Sequence, residues 1–174
     1  MRVWREAIQA DIPALEQLIE SAYRGEASRA GWTTEEHLLG GNRINREMLA
    51  ETLAQADQTL LVAEEDGTLI ACVTVERRQG YGYVGTVSVR PTLQGQGIGR
   101  DVLDQAERHI AKAWGLGHAR MTVIAQRPEL IAWYERRGYA PNGETAPFPY
   151  GDARFGAPKR DDLYFVILEK QLDA

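Results

Sequence analysis

The 174-residue chain holds one cysteine, three histidines and three phenylalanines, with no Lys/Arg-rich run and no long apolar run. Each shortage removes a class of protein. The lone Cys72 cannot close an internal disulfide, and its place in an apolar, strand-like run reads as a buried inert thiol rather than a nucleophile. His37, His109 and His118 lack metal-ligand spacing and read as surface or capping residues, so no metal is expected. Twenty basic against 25 acidic residues give a net charge of −5, and the pI is near 5.3. That balance argues against a general partner of nucleic acid or of an anionic membrane. No stretch approaches the roughly 18 apolar residues of a membrane span. The opening Met1-Arg2-Val3-Trp4-Arg5-Glu6 lacks the apolar segment of a signal peptide, which makes a cytoplasmic location the expectation. With no repeat, low-complexity tract or linker, residues 1–174 read as a single domain large enough for one substantial core.

What is present alternates between strand and helix patterns. Val3 to Ile8 reads as a strand, and Asp11-Ile12-Pro13 opens a helix with an acidic cap and an early proline. In that helix Ile12, Leu15, Leu18, Ile19 and Ala22 recur at helical spacing up to about Tyr23. A polar stretch from Arg24 to Arg43 follows, with a capping box at Thr33-x-x-Glu36, and then a helix from about Asn45 to Gln55. Thr59 to Glu65 and Thr68 to Arg77 flank Asp66-Gly67, a strong hairpin signal, and Gln79-Gly80 turns the chain into a third strand, Tyr81 to Val89. A helix from Gly97 to about Trp114, a strand from Ala119 to Ala125, a helix from Pro128 to Arg136 and a terminal strand from Leu163 to Leu168 complete the order. The outcome is an α/β domain.

Gln94-Gly95-Gln96-Gly97-Ile98-Gly99-Arg100 joins the third strand of that run to its helix. Glycines remove the Cβ atoms that hold an anion away from backbone, and the first N–H groups of a helix lack intrahelical partners. The helix dipole and Arg100 add positive charge, so the turn suits a diphosphate. It is not the phosphate loop of NTPases, which needs Gly-Lys-Ser/Thr where this chain has Gly99-Arg100-Asp101. Nor is it a dinucleotide fingerprint: it lies past mid-chain, and the next strand runs into Gln126-Arg127-Pro128 with no carboxylate to hold a ribose.

Val87-Ser88-Val89-Arg90-Pro91 through Gln94-x-x-Gly97-x-Gly99 resembles the acetyl-CoA motif of the GNAT superfamily of N-acetyltransferases. Ile131-Ala132-Trp133-Tyr134-Glu135-Arg136-Arg137-Gly138-Tyr139 resembles the later helix of that family, whose tyrosine faces the cofactor sulfur. The two matches cover roughly residues 84 to 140. The resemblance implies a single GNAT-like domain, with a mixed, mostly antiparallel central sheet flanked by helices and splayed central strands. It implies acetyl-CoA as co-substrate, its pantetheine arm pairing with the backbone of Val87, Ser88 and Val89 like an added strand. Its diphosphate would lie on Gln94 to Arg100. Tyr134 is then the general acid for the departing thiolate. A phenol near pKa ~10 giving its proton to a thiol near ~8.5 is uphill by roughly 2 kcal/mol, so a strong hydrogen bond or a perturbed phenol is required. At Arg127 many family members carry an asparagine that binds cofactor or orders the site, which makes this residue a departure from the pattern.

A base for the incoming amine is less defined. The strand from Tyr81 to Val89 has no carboxylate where the family often places one, and Glu76 on the preceding strand is the nearest candidate, with water relays, Glu26, Glu35 and Glu36 as alternatives. Acceptor contacts are expected from Tyr23 to Arg43 and from Thr145 to Asp162, through Tyr23, Trp32, Glu35, Phe148, Tyr150 and Phe155. Aromatic walls with a few polar groups describe a small-molecule pocket, although Trp32 and Phe155 serve equally well as loop anchors. Gly31-Trp32-Thr33-Thr34-Glu35 also resembles a subset of GNAT proteins. The expected reaction is acetyl transfer from acetyl-CoA to the primary amine of a small molecule, by direct attack in a ternary complex. The alternatives are acetylation of a protein or peptide α-amine, and a CoA-binding sensor or interaction module without turnover. GNAT proteins are often dimers, so a homodimer is a possible assembly.

Overall fold

A computed structural model describes residues 2–23, 39–40, 45–93, 96–148, 150, 157–159 and 161–172. Its strands are β1 (Arg2–Glu6), β2 (Leu39–Gly40), β3 (Gln58–Glu65), β4 (Thr68–Arg78), β5 (Tyr81–Val89), β6 (His118–Ile124), β7 (Ala140–Pro147), β8 (Ala157–Pro158) and β9 (Tyr164–Gln171). Its α-helices are α1 (Ile12–Tyr23), α2 (Arg46–Ala54), α3 (Ile98–Arg108) and α4 (Pro128–Glu135). Seven strands form one sheet in the order β1-β3-β4-β5-β6-β9-β7, and β2 pairs with β8 separately. Every pairing is antiparallel except β5 with β6.

The hairpin signal is realised as Asp66 and Gly67 at φ +50° and +80°, the pair of positive angles whose twist matches that of the flanking strands. Asp11 does not cap α1 as expected. It closes a single 3₁₀ turn, Gln9–Asp11, where its carboxylate accepts from the Ile8 N–H at 2.8 Å and from both Arg5 terminal nitrogens at 2.8 and 2.9 Å. Arg5 holds the Asp11 carboxyl below its usual range, against the opposing pull of burial. The first strand accordingly stops at Glu6, short of the expected Ile8.

Two cores lie on opposite faces. Ile12, Leu15, Leu18, Ile19 and Ala22 of α1 join Leu49 of α2 over Leu60, Val62, Leu69 and Cys72. On the other face Ile98, Val102, Leu103, Ala106 and Ile110 join Leu130 and Tyr134 over Val73, Val75, Val84, Val87, Val89, Met121 and Val123. After Arg108 the helix widens into a π turn, His109–Ala113, which delivers Ile110 onto the backbone of Gly82. His109 is half-buried there, edge-on to Trp114 at 4.8 Å, and caps the C-terminal end of α3, its N–H on the Ala106 and Gln105 carbonyls.

Two features of the middle of the sheet position the site. Cys72 pairs with Ser88 but Thr74 pairs with Gly85, so β5 carries one extra residue, with Thr86 at φ +52°. A bulge reverses which face each later side chain meets, and Val84 and Val87, three apart, therefore both enter the α3 core. Beyond it, β5 and β6 share register only at Gly82↔Ala119 and Tyr83↔Arg120. Val84–Val89 then stays with β4 while Met121–Ile124 stays with β9, and the sheet parts between them.

Candidate active site

The vertex of this opening is tied by the Tyr83 and Thr122 hydroxyls, 2.5 Å apart across the two strands. On the same sheet face Arg78 lies 4.1 Å over the Tyr83 ring and donates to Glu76 Oε1 at 2.6 Å. Burial pulls the Arg78 guanidinium down, but hydrogen bonds with Tyr81 and Glu76 outweigh it and hold the cation. Glu76, opposite Tyr83 in the ladder, is thus a strand residue with one carboxylate oxygen, Oε1, ion-paired to Arg78.

At the far end of β5 the chain passes through a 3₁₀ turn, Pro91–Leu93, into α3. Arg90 folds away from that end, giving a hydrogen bond to the Leu69 carbonyl at 2.7 Å. Gln94 and Gly95 lie outside the described residues. Gln96 is exposed, and Gly97 caps the helix at φ +80°, a conformation that strains any residue with a Cβ. A Cβ placed there meets no heavy atom within 4 Å. Ile98 and Gly99 are buried, so they offer an anion only backbone N–H groups, while Arg100 is exposed. Asp101, one turn in, sets no free negative charge beside this end: it accepts from Trp4 Nε1 at 2.8 Å and from Arg2 at 3.1 Å. An open glycine cap, helix N–H groups and a guanidinium fit the diphosphate of acetyl-CoA.

Of the three strand residues expected along the pantetheine arm, Val87 and Val89 send their side chains into the α3 core. Ser88 is fully buried and turns its hydroxyl onto the Thr86 carbonyl at 3.1 Å, supporting the bulge. Arg127, also buried, precedes α4, with its N–H on the Ile124 carbonyl at 3.1 Å. Tyr134 is buried on α4, flanked edge-on by Trp133 at 5.2 Å and Tyr139 at 6.1 Å. Tyr139 donates to Glu107 of α3 at 3.1 Å, and Lys170 of β9 donates to the other oxygen of Glu107 at 2.8 Å. This brace of Tyr139, Glu107 and Lys170 behind Tyr134 had no signal in the sequence, because its members lie far apart in the chain, in the turn before β7, on α3 and on β9.

Among the acceptor residues, Phe148 is buried with Ile124, Leu163 and Phe165, and Tyr150 accepts from the Leu163 N–H at 2.8 Å. Both behave as anchors of their loop in this structure. Only the backbone of Tyr23 is described, as the last residue of α1. Trp32, Glu35, Phe155, the alternative bases Glu26 and Glu36, and His37 lie outside the described residues. Among the described residues no three His, Cys, Asp or Glu side chains gather where they could hold a metal, and no helix is long and apolar enough to cross a membrane.

The described geometry is thus a sheet that parts between two parallel central strands, with a glycine-capped helix at the end of one of them. The acetyltransferase (GNAT) family profile matches residues 13–139, and the chain belongs to that family. It is 34% identical over 100 residues to an IAA acetyltransferase of Azospirillum brasilense, spanning 56% of this chain and 65% of that relative's length. It is 29% identical over 156 residues to an aminoglycoside 2'-N-acetyltransferase of Mycolicibacterium fortuitum, covering 87% of this chain and 69% of that one. The ribosomal-protein-S18-alanine N-acetyltransferase of Escherichia coli shares the fold, with a TM-score of 0.70 over 100% of this chain and 96% of that chain at 16% identity.

Proposed function

We propose that the protein transfers the acetyl group of acetyl-CoA to the primary amine of a small molecule, by direct attack in a ternary complex. The observation that carries this reading is the parting of β5 and β6 beyond Tyr83↔Arg120, with the Gly97 cap at the end of β5 and Tyr134 on the helix that follows β6. Bound acetyl-CoA supplies the activated acyl group. The backbone of Val87 to Val89 orients its arm, a backbone N–H near Val89 holds the oxyanion, and the first turn of α3 with Arg100 receives the diphosphate. Tyr134 gives its proton to the leaving sulfur. Glu76 takes the amine proton, directly or through one water. The relatives named for IAA and for aminoglycosides support a small acceptor, and a cytoplasmic site of action accords with acetyl-CoA supply.

Calorimetry with acetyl-CoA tests the first half, and free thiol release in the presence of pooled small amines, amino acids and short peptides tests the second. Binding with thiol release on small amines is expected. Release on peptides alone assigns the acceptor to protein α-amines, binding without release assigns a CoA-binding module, and no binding overturns the reading. A folded Tyr134→Phe variant should bind acetyl-CoA as the wild type does and turn over roughly 10²- to 10⁴-fold more slowly. Full turnover in that variant removes Tyr134 from the proton step.

A further inference from the structure

The closed end of the opening is tied by side chains as well as by backbone. Thr122 lies two residues beyond Arg120, the ladder partner of Tyr83, and its hydroxyl nevertheless meets the Tyr83 hydroxyl at 2.5 Å. The Tyr83 side chain thus crosses the gap where backbone pairing between β5 and β6 has stopped. On β4, Glu76 and Arg78 stand two apart, and Glu76 is opposite Tyr83 in the ladder, so all three side chains share one face of the sheet. The Arg78 guanidinium lies 4.1 Å over the Tyr83 ring, and its Nε donates to Glu76 Oε1 at 2.6 Å. A continuous chain of contacts, from Thr122 through Tyr83 and Arg78 to Glu76, therefore runs from β6 across β5 to β4 at the vertex.

Left to itself, a partly exposed pair such as Arg78 and Glu76 holds neither side chain in one geometry, since the entropy of fixing two long side chains offsets most of the attraction. The Tyr83 ring changes that. It gives the guanidinium a flat face to lie on, and the bond to Thr122 keeps the ring from swinging away. A base must stand within hydrogen-bond reach of the proton it takes, so the order imposed on Arg78 passes to the carboxylate. We infer that Tyr83, tied to Thr122, is the positioning residue for the amine base: it fixes Arg78, and Arg78 holds Glu76 by Oε1 so that Oε2 takes the proton. The N–H bond of the ammonium breaks, an O–H bond forms on Glu76, and the nitrogen keeps the electron pair with which it attacks the thioester carbonyl. The inference rests on the acetyl-transfer reading above and on Glu76 as its base.

Thiol release from acetyl-CoA with the pooled small amines and amino acids tests it in single and paired variants, with acetyl-CoA affinity measured by calorimetry on each. Glu76→Gln should lower turnover roughly 10²- to 10⁴-fold. Tyr83→Leu and Arg78→Gln should lower it roughly 10- to 100-fold, the cost of a displaced base, with acetyl-CoA affinity unchanged. Tyr83→Phe keeps the ring and loses only the tie to Thr122, so it should cost about fivefold, the equivalent of one neutral hydrogen bond. Arg78→Lys keeps the charge and should recover part of the Arg78→Gln loss. In the Glu76→Gln background Tyr83→Leu and Arg78→Gln should cost nothing further, because their effect runs through the base. An equal loss in both backgrounds, a loss that follows acetyl-CoA affinity, or no loss in the wild-type background overturns the inference. Full turnover in Glu76→Gln removes the base and the inference with it, whereas no thiol release in the wild type overturns the acetyl-transfer reading itself.

Discussion

Tyr139 shows how a single residue behind the site makes a measurable demand. Its ring packs edge-on against Tyr134, and its hydroxyl reaches Glu107, which Lys170 also holds. Burial above all, then the Glu107 charge, pushes the Tyr139 phenol well above its ordinary value near 10. A phenol raised in the folded state favours folding fully below the unfolded pKa, and that share is lost as pH climbs from about 10 toward the native value. The unfolded chain ionises first. Stability should therefore fall above about pH 10 with a slope near 1.4 kcal/mol per pH unit from this residue. Urea midpoints between pH 7 and pH 11 check it, with Tyr139→Phe as reference. The variant should lose about 1 kcal/mol at pH 7 and lack the extra alkaline slope. Parallel curves would mean that Tyr139 ionises as freely in the folded protein as in the unfolded chain.

The opening between β5 and β6 depends on how tightly its closed end is packed. Gly82 forms the first β5–β6 pair, and a Cβ there would lie 2.4 Å from Ile110 Cγ1, with Cδ1 and Cγ2 at 2.6 and 2.7 Å. Ile110 is fully buried in the π turn and has little room to retreat. Gly82→Ala should cost about 1–3 kcal/mol by overpacking, and Ile110→Ala about 2–5 kcal/mol by the void it leaves. The double variant should be milder than their sum by at least roughly 1 kcal/mol, read from urea denaturation of the four proteins. Strict additivity would show that Ile110 steps aside without cost. The same elements mark what a sequence can and cannot reveal. Strands β3 to β6 and helices α1 to α4 were legible because their periodicity and turn residues agree. Strand β7 was not: Pro141, Gly143 and Pro147 break any strand pattern, yet an edge strand tolerates proline and a bulge between Pro141 and Thr145 absorbs the glycine. The Thr86 bulge had one clue, Gly85 inside a strand, while the π turn and the Arg78 clamp on Glu76 depend on partners distant in the chain.

At the scale of the whole molecule the candidate site is a gap in the sheet, and a gap should make stability depend on its ligand. A ligand that binds only the folded state adds RT ln(1 + [L]/Kd), about 2.7 kcal/mol at a hundredfold excess over Kd. For a chain of this size that corresponds to a rise in Tm of about 5–10 °C. Acetyl-CoA should produce it in a thermal melt without any acceptor present. Gly97 separates ligand from fold, because a Cβ there meets no heavy atom of the described residues within 4 Å but its residue must adopt φ +80°. Gly97→Leu should lower the unliganded Tm by only a few degrees, the strain of one residue in the left-handed region being about 1–2 kcal/mol. Its leucyl group would stand where the diphosphate meets the helix, and the rise with acetyl-CoA should vanish. A variant that melts a few degrees early yet gains as much from acetyl-CoA as the wild type would move the diphosphate off the Gly97 cap. The parting of β5 and β6 would then still require an occupant, reached from another side.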